Sequence, residues 1–157
     1  MITIDEFMTR NPHTLRPSDS LADARRLMMQ HEIRHIPIVE ADGNVVGIVS
    51  QRDVLRAGES SVAQSATIDE SAILLEKIMT SPVHVMDERE SLRAAAMHIR
   101  KTRHGCIPIV TKGKLRGIVT DSDFVTVAIH LLEQADENEE FLGSEFEEET
   151  DFDRELP

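Results

Sequence analysis

The chain has 157 residues, of which 40% are hydrophobic and 29% charged, with five Phe, no Trp or Tyr, one cysteine and a formal net charge of −12. A core must therefore be built from Ile, Val, Leu, Met and Ala, and the lone Cys106 excludes an internal disulfide framework. No apolar run approaches the ~20 residues of a membrane span. The start, Met1-Ile2-Thr3-Ile4-Asp5-Glu6, has neither the basic opening nor the apolar centre of a signal peptide. These features predict a cytoplasmic protein. The charge is local: Glu133 to Pro157 holds twelve acidic residues and one basic, Arg154. The rest of the chain is nearly neutral, so no basic face for nucleic acid is expected.

In chain order the elements come in two matching sets. Met8-Thr9 recurs as Met79-Thr80, Ser20-Leu21 as Ser91-Leu92, and Ile36-Pro37-Ile38-Val39 as Ile107-Pro108-Ile109-Val110. Gly47-Ile48-Val49-Ser50 recurs as Gly117-Ile118-Val119-Thr120, and Asp53 as Asp123. The spacing is 71 residues early and 70 late, which puts a one-residue difference in the loop after Val39. Each half, at about 50 residues, is too small to bury an adequate core alone. The two should pack together about a pseudo-twofold axis.

Within a half, an extended segment (His13 to Arg16, Val83 to Asp87) precedes a helix. Ser20 with Asp23 forms a capping box, and Leu21, Ala24, Leu27 and Met28 share a helical face. Leu92, Ala95, Ala96 and Ile99 do the same in the second half. Each helix must stop before Pro37 or Pro108, because the residue before a proline avoids the α region. Two strands follow, Ile36–Glu40 and Val45–Val49, joined by Asp42-Gly43-Asn44. The counterparts are Ile107–Thr111 and Leu115–Val119 around Lys112-Gly113-Lys114. A closing helix begins at Gln51 or Asp121. Thr3-Ile4-Asp5-Glu6 and Thr67-Ile68-Asp69-Glu70 look like matching lead-in helices, each opening its own half. The expected boundaries are residues 1–66 for the first half with a polar linker from Gly58 to Ala66, 67–132 for the second, and 133–157 for an acidic, unstructured tail.

The order Met-Thr, strand, helix, His-Ile-Pro-Ile-Val, Gly-Ile-Val-Ser-x-x-Asp, helix resembles a CBS domain, the family named for cystathionine β-synthase. The second copy, with Cys-Ile-Pro-Ile-Val and Gly-Ile-Val-Thr-x-x-Asp, is similar to its partner. The resemblance runs from Phe7 to about Leu132. It implies an α+β fold of two β-α-β-β-α repeats, a Bateman module, with clefts between the halves. It also implies a regulatory, non-enzymatic role, binding of AMP, ADP, ATP or S-adenosylmethionine, no catalytic cofactor, and a homodimer.

In such pairs the Asp closing the Ser/Thr-x-x-Asp motif holds the ribose hydroxyls, which assigns Asp53 and Asp123 to that role. A carboxylate can accept from both hydroxyls. Ser50 and Thr120 would meet a phosphate at a helix N-terminus. The same two motifs also have the form of capping boxes, and the roles are compatible. The adenine slot is lined across the halves: by position these are His13 with Ile33 and Val83 with His104, beside Pro37 and Pro108. Arg34, His35 and Arg52 would answer a phosphate's charge in the first half; Gly105, Cys106 and Ser122 stand there in the second, so the clefts should differ.

His31-Glu32-Ile33-Arg34-His35 matches the zinc-protease pattern literally, but that mechanism needs both histidines on one helix face and Pro37 follows too soon. Cys106 reads as a buried thiol. The tail spaces Phe141, Phe146 and Phe152 among acids, which suits a disordered spacer or a partner-docking segment. Two functions stand against each other: an adenosyl-ligand sensor that signals to a separate protein, and a dimerisation or docking module with empty clefts. No nucleophile with its base, and no phosphate loop, points to an enzyme.

Overall fold

A computed structural model describes residues 1–62 and 69–151, with side chains described over 1–59 and 69–138. The chain divides into two units, Met1–Thr120 and Asp121–Pro157.

In the first unit, helix α1 (Leu21–His31) leads into strands β2 (His35–Val39) and β3 (Val45–Ser50), then helix α2 (Gln51–Val62). Strand β1 (Thr9–Arg10) precedes them. The second set is β4 (Met86–Asp87), α3 (Leu92–Thr102), β5 (Cys106–Thr111) and β6 (Lys114–Thr120). The sheets run β1-β6-β5-β4 and β2-β3. The fold is the expected α+β pair of repeats.

The helices start and stop as their sequences require. The Ser20 hydroxyl accepts from the Asp23 amide while Asp23 accepts from the Ser20 amide and hydroxyl, so orphan donors at the start of α1 are satisfied reciprocally. Ser91 caps α3 alone, accepting from the Ala94 amide at 3.1 Å. Both helices end on a left-handed residue, Glu32 (φ 52°) and Arg103 (φ 57°), placed 71 residues apart. The chain then turns into β2 and β5 before the prolines. Both hairpins turn at a positive-φ glycine, Gly43 and Gly113, where a side chain would be strained.

The halves are joined by exchange. Each Met-Thr segment adds to the other half's hairpin: Thr9 pairs with Ile118, and Thr80 pairs with Ile48. The glycines of the two Gly-Ile-Val runs make room for it. A Cβ on Gly47 would lie 2.6 Å from Met79 Sδ, and one on Gly117 would lie 2.7 Å from both Met8 Sδ and the Thr9 carbonyl oxygen. The turns also meet: the Leu115 amide donates to the Gly43 carbonyl at 3.3 Å, and Lys114 Nζ to Asn44 Oδ1 at 3.0 Å.

The lead-in segments correct the sequence reading twice. They are 3-10 turns rather than helices, at Ile4–Glu6, Glu70–Ala72 and Leu75–Lys77. The counterpart of Ile4 is Leu75, not Ile68: both are fully buried and both precede their Met-Thr by four residues. Each packs on the half it does not open. Leu75 joins the core of Leu21, Ala24, Met28, Ile36, Ile38, Val49 and Val54. Its amide donates to Asp19 O, and the Leu21 amide to Ile73 O. In mirror fashion the Ile4 amide donates to Glu90 O and the Leu92 amide to Ile2 O. Arg25 on α1 clamps the second lead-in with a two-pronged bond to Glu70, at 2.9 and 2.7 Å.

Two expected boundaries also change. Helix α2 runs through Val62, so only residues 63–66 of the expected linker remain, outside the described residues.

In the second unit, helix α4 spans Asp121–Asp151. The acidic stretch from Glu133, expected to be unstructured, is thus helical as far as Asp151; Glu, Gln, Ala and Leu are strong helix formers and no proline interrupts them. Residues 152–157 lie outside the described residues. Val125, Ile129 and Leu132 recur at helical spacing on α4, each about half exposed or more (60%, 49% and 65%). Among the described residues no helix is long and apolar enough to cross a membrane.

Candidate functional site

The β2–β3 hairpin and the segments flanking it bring Arg34, His35, Ser50, Arg52 and Asp53 to one end of the hairpin. His35 opens β2 and pairs with Ser50, which closes β3. The Gln51 amide donates to the Arg34 carbonyl at 2.8 Å, tying the approach of β2 to the first turn of α2. That turn carries exposed Arg52 and half-buried Asp53. Pro37 lies buried in the middle of β2.

Ser50 and Asp53 form a capping box. Asp53 Oδ2 accepts from the Ser50 amide and hydroxyl, both at 2.8 Å, and the Ser50 hydroxyl accepts from the Asp53 amide at 3.2 Å. Both bonds to the carboxylate are accepted by the same oxygen, Oδ2. The cap holds the carboxylate at the helix N-terminus, where unpaired amides and the helix dipole favour an anion.

In the second half, Cys106 opens β5, buried, and pairs with Thr120 at the end of β6. Pro108 is buried in β5 as Pro37 is in β2. Asp123 is the third residue of α4.

The residues expected around adenine fall into a pattern the sequence did not reveal. Leu15 bridges Ile38 in parallel, and Met86 pairs with Ile109 in parallel. Both matches are 71 residues apart, so the counterpart of His13 is His84, not Val83. Each of these histidines stacks on another from the following helix. His13 lies on His31 with ring centroids 3.8 Å apart, and His84 on His98 at 3.9 Å with planes only 12° apart. Ile33 follows the first stack and packs against the core cluster. Val83 precedes the second, and His104 is a further basic neighbour of His98. The stacking partners His31, His84 and His98 were not among the expected site residues. The available signal was the repeat itself, which at a spacing of 71 puts a histidine at both 13 and 84.

What reaches β3 from the second half is the segment just before Val83, through Thr80 and through the Ser81 hydroxyl, which donates to Val46 O at 2.8 Å. The H-E-x-x-H run does not form a zinc-binding helix face, because α1 ends at His31 and His35 belongs to β2.

The family model of the CBS domain matches twice, over residues 4–60 and 75–130. Among solved structures, AcuB of Vibrio cholerae, named for acetoin utilization, is 43% identical, with a TM-score of 0.78 over 87% of this chain and 98% of that one. CBSX2 of Arabidopsis thaliana, solved in complex with AMP, is 28% identical, with a TM-score of 0.71 over 83% of this chain and 98% of that one. The CBS domain pair of protein MJ0100, solved with 5′-methylthioadenosine and S-adenosylmethionine, is 26% identical, with a TM-score of 0.70 over 81% and 95%. Curated relatives include much longer enzymes: the chain spans 20% of a homoserine O-acetyltransferase from Methanocorpusculum labreanum, to which it is 30% identical over 109 residues. The two matches, the doubled hairpins and the exchanged lead-ins agree, and the chain belongs to the CBS-domain family as a tandem pair.

Proposed function

We propose that this chain is a regulatory sensor in which an adenine nucleotide or adenosyl ligand binds at the Ser50–Asp53 end of the first hairpin and its counterpart, and a separate partner reads the result. One observation carries the reading. Asp53 caps α2 through Oδ2, and a carboxylate has a second acceptor oxygen that can meet ribose hydroxyls while the cap stands. The cap and the ligand contact are then two uses of one carboxylate. The α2 N-terminus suits a phosphate, and Arg34 and Arg52 add positive charge on that side, with the His35 ring beside them. Gly105, Cys106 and Ser122 replace them in the second half, so phosphate-bearing ligands should favour the first site. AMP bound to CBSX2, and methylthioadenosine and S-adenosylmethionine bound to the MJ0100 pair, support the ligand class. A ligand shifts the relation of the halves only as far as its affinity for two arrangements differs.

The test is thermal melting of ligand-free protein with AMP, ADP, ATP, S-adenosylmethionine and NAD. A ligand at 100 times its dissociation constant adds about 2.7 kcal/mol. At least one should shift the melt, and Asp53→Ala should abolish the shift of a nucleotide at the first site. Folded protein that ignores all five would overturn the sensor. That result would favour the second reading, a dimerisation or docking module, for which the exposed Val125, Ile129 and Leu132 stripe speaks. The occupant of that stripe would be a second copy of the chain.

A further inference from the structure

The two histidine stacks differ in their surroundings. His13 and His31 are both exposed, so water screens any charge they carry. His98 is half-buried on α3 and faces basic groups on every side that acts on it: His84 from the segment entering β4, His104 from the segment entering β5, and Lys101 on its own helix. His104 is tied to the same place through the backbone. The Thr102 hydroxyl donates to the His98 carbonyl at 2.9 Å and accepts from the His104 amide at 3.3 Å.

Two neutral imidazoles stack favourably at this separation. Two imidazolium rings with centroids 3.9 Å apart repel; His84 is exposed, and it is the half-buried position of His98 that strengthens the repulsion. We propose that the His84–His98 stack is a proton-operated latch holding the segment that enters β4 against α3, closed when the rings are neutral and opened as the pair takes up protons.

The direction of the pH effect follows. Burial, then the neighbouring His84, His104 and Lys101, hold His98 below the usual imidazole range. The unfolded chain therefore binds protons that the folded chain rejects. Stability from the latch is complete above the ordinary imidazole value of about 6.5 and is lost as pH falls from there toward the lower folded value. Val83 adjoins the latch and His104 acts on His98, so opening would also loosen the second half's share of an adenine slot. That last link rests on the sensor reading; the latch does not.

The experiment is melting of the unliganded full chain between about pH 7.5 and about pH 5.5, a window that brackets histidine and leaves carboxylates ionised. Wild type should lose melting temperature toward acid. His98→Gln should remove at least half of that loss and His84→Gln a similar share, while His31→Gln removes much less. The slope is read, so a general destabilisation of any variant does not matter. Wild-type slopes in both His98→Gln and His84→Gln would overturn the latch. For the ligand link the probe is 5′-methylthioadenosine, which has no titrating phosphate. Its affinity for wild type should weaken about threefold or more over the same window and stay level in His98→Gln. Equal affinity at both ends in wild type sinks the coupling. Failure to bind at either pH counts against the sensor reading, and the melts still decide the latch.

Discussion

The two halves share a plan and differ in where their charge and their polar rings sit. The first half gathers Arg34, His35, Arg52 and Asp53 at the open end of its hairpin and leaves its histidine stack in solvent. The second has Gly105, Cys106 and Ser122 in the matching places, and in its stack His84 is exposed while His98 is half-buried among basic groups. The backbone exchange between them is nearly symmetric, whereas the side chains at the site are not. A duplicated fold thus keeps what holds it together in both copies and changes the side chains at each hairpin end.

Whether the exchange is as symmetric in energy as in geometry can be tested directly. Ile4 and Leu75 are each fully buried on the half they do not open. Truncating either to Ala should cost about 2–5 kcal/mol in chemical denaturation, the range for large buried aliphatics. Equal losses mean the two lead-ins do equal work; a loss under about 1 kcal/mol for one would show that its half holds without the exchange.

Next in size are the crossing glycines. Gly117→Ala drives a Cβ to 2.7 Å from the Thr9 carbonyl, which is backbone, while Gly47→Ala meets mainly the flexible Met79 side chain, with the Thr80 carbonyl at 3.1 Å. Overpacking of this kind costs about 1–3 kcal/mol. Gly117→Ala should lie at the upper end and Gly47→Ala at the lower, and the reverse order in melting experiments would refute the asymmetry.

The smallest effect compares the helix caps. Ser20→Ala loses a reciprocal box and Ser91→Ala a single bond, so the first should cost about 1 kcal/mol and the second about half that. The gap should depend on acid. The Ser20 amide and hydroxyl hold Asp23 below the usual carboxylate range. A depressed carboxylate stabilises above its unfolded value and loses that contribution as pH falls through its folded one, so the gap should close below about pH 4. Melts of both variants down an acid series would show it, and a gap that stays constant would place the stability of α1 outside its cap.

Much of the architecture could be read without coordinates. The paired Pro-Ile-Val and Gly-Ile-Val runs, the Asp42-Gly43-Asn44 turn and the Ser20/Asp23 box are local signals, and local chemistry decides a turn, a cap or a strand within a few residues. The Ser50-x-x-Asp53 motif was legible as a cap, and the cap forms through Asp53 Oδ2. Less legible was the site's second edge. Val83 looked like the partner of His13 because both follow a proline, and only the parallel pairing of Leu15 and Met86 moved the match to His84. The acidic stretch was misjudged because composition records the charge repulsion but not the continuity with α4.

By itself the sequence determined that there are two copies of one small unit, their strand and helix order, and the residue types at each hairpin end. Those follow from periodicity and from the backbone demands of Pro, Gly, Ser and Asp, which act over a handful of residues. Tertiary structure alone decided which half each lead-in serves, that Met8 and Met79 fill the spaces left by Gly117 and Gly47, and that histidines far apart in the chain stack in pairs. A repeat makes its own copy and its neighbour's copy equally good partners on paper. The choice between them rests on which contacts the connecting chain can close and which buried surfaces fit, and both exist only once the two halves have met.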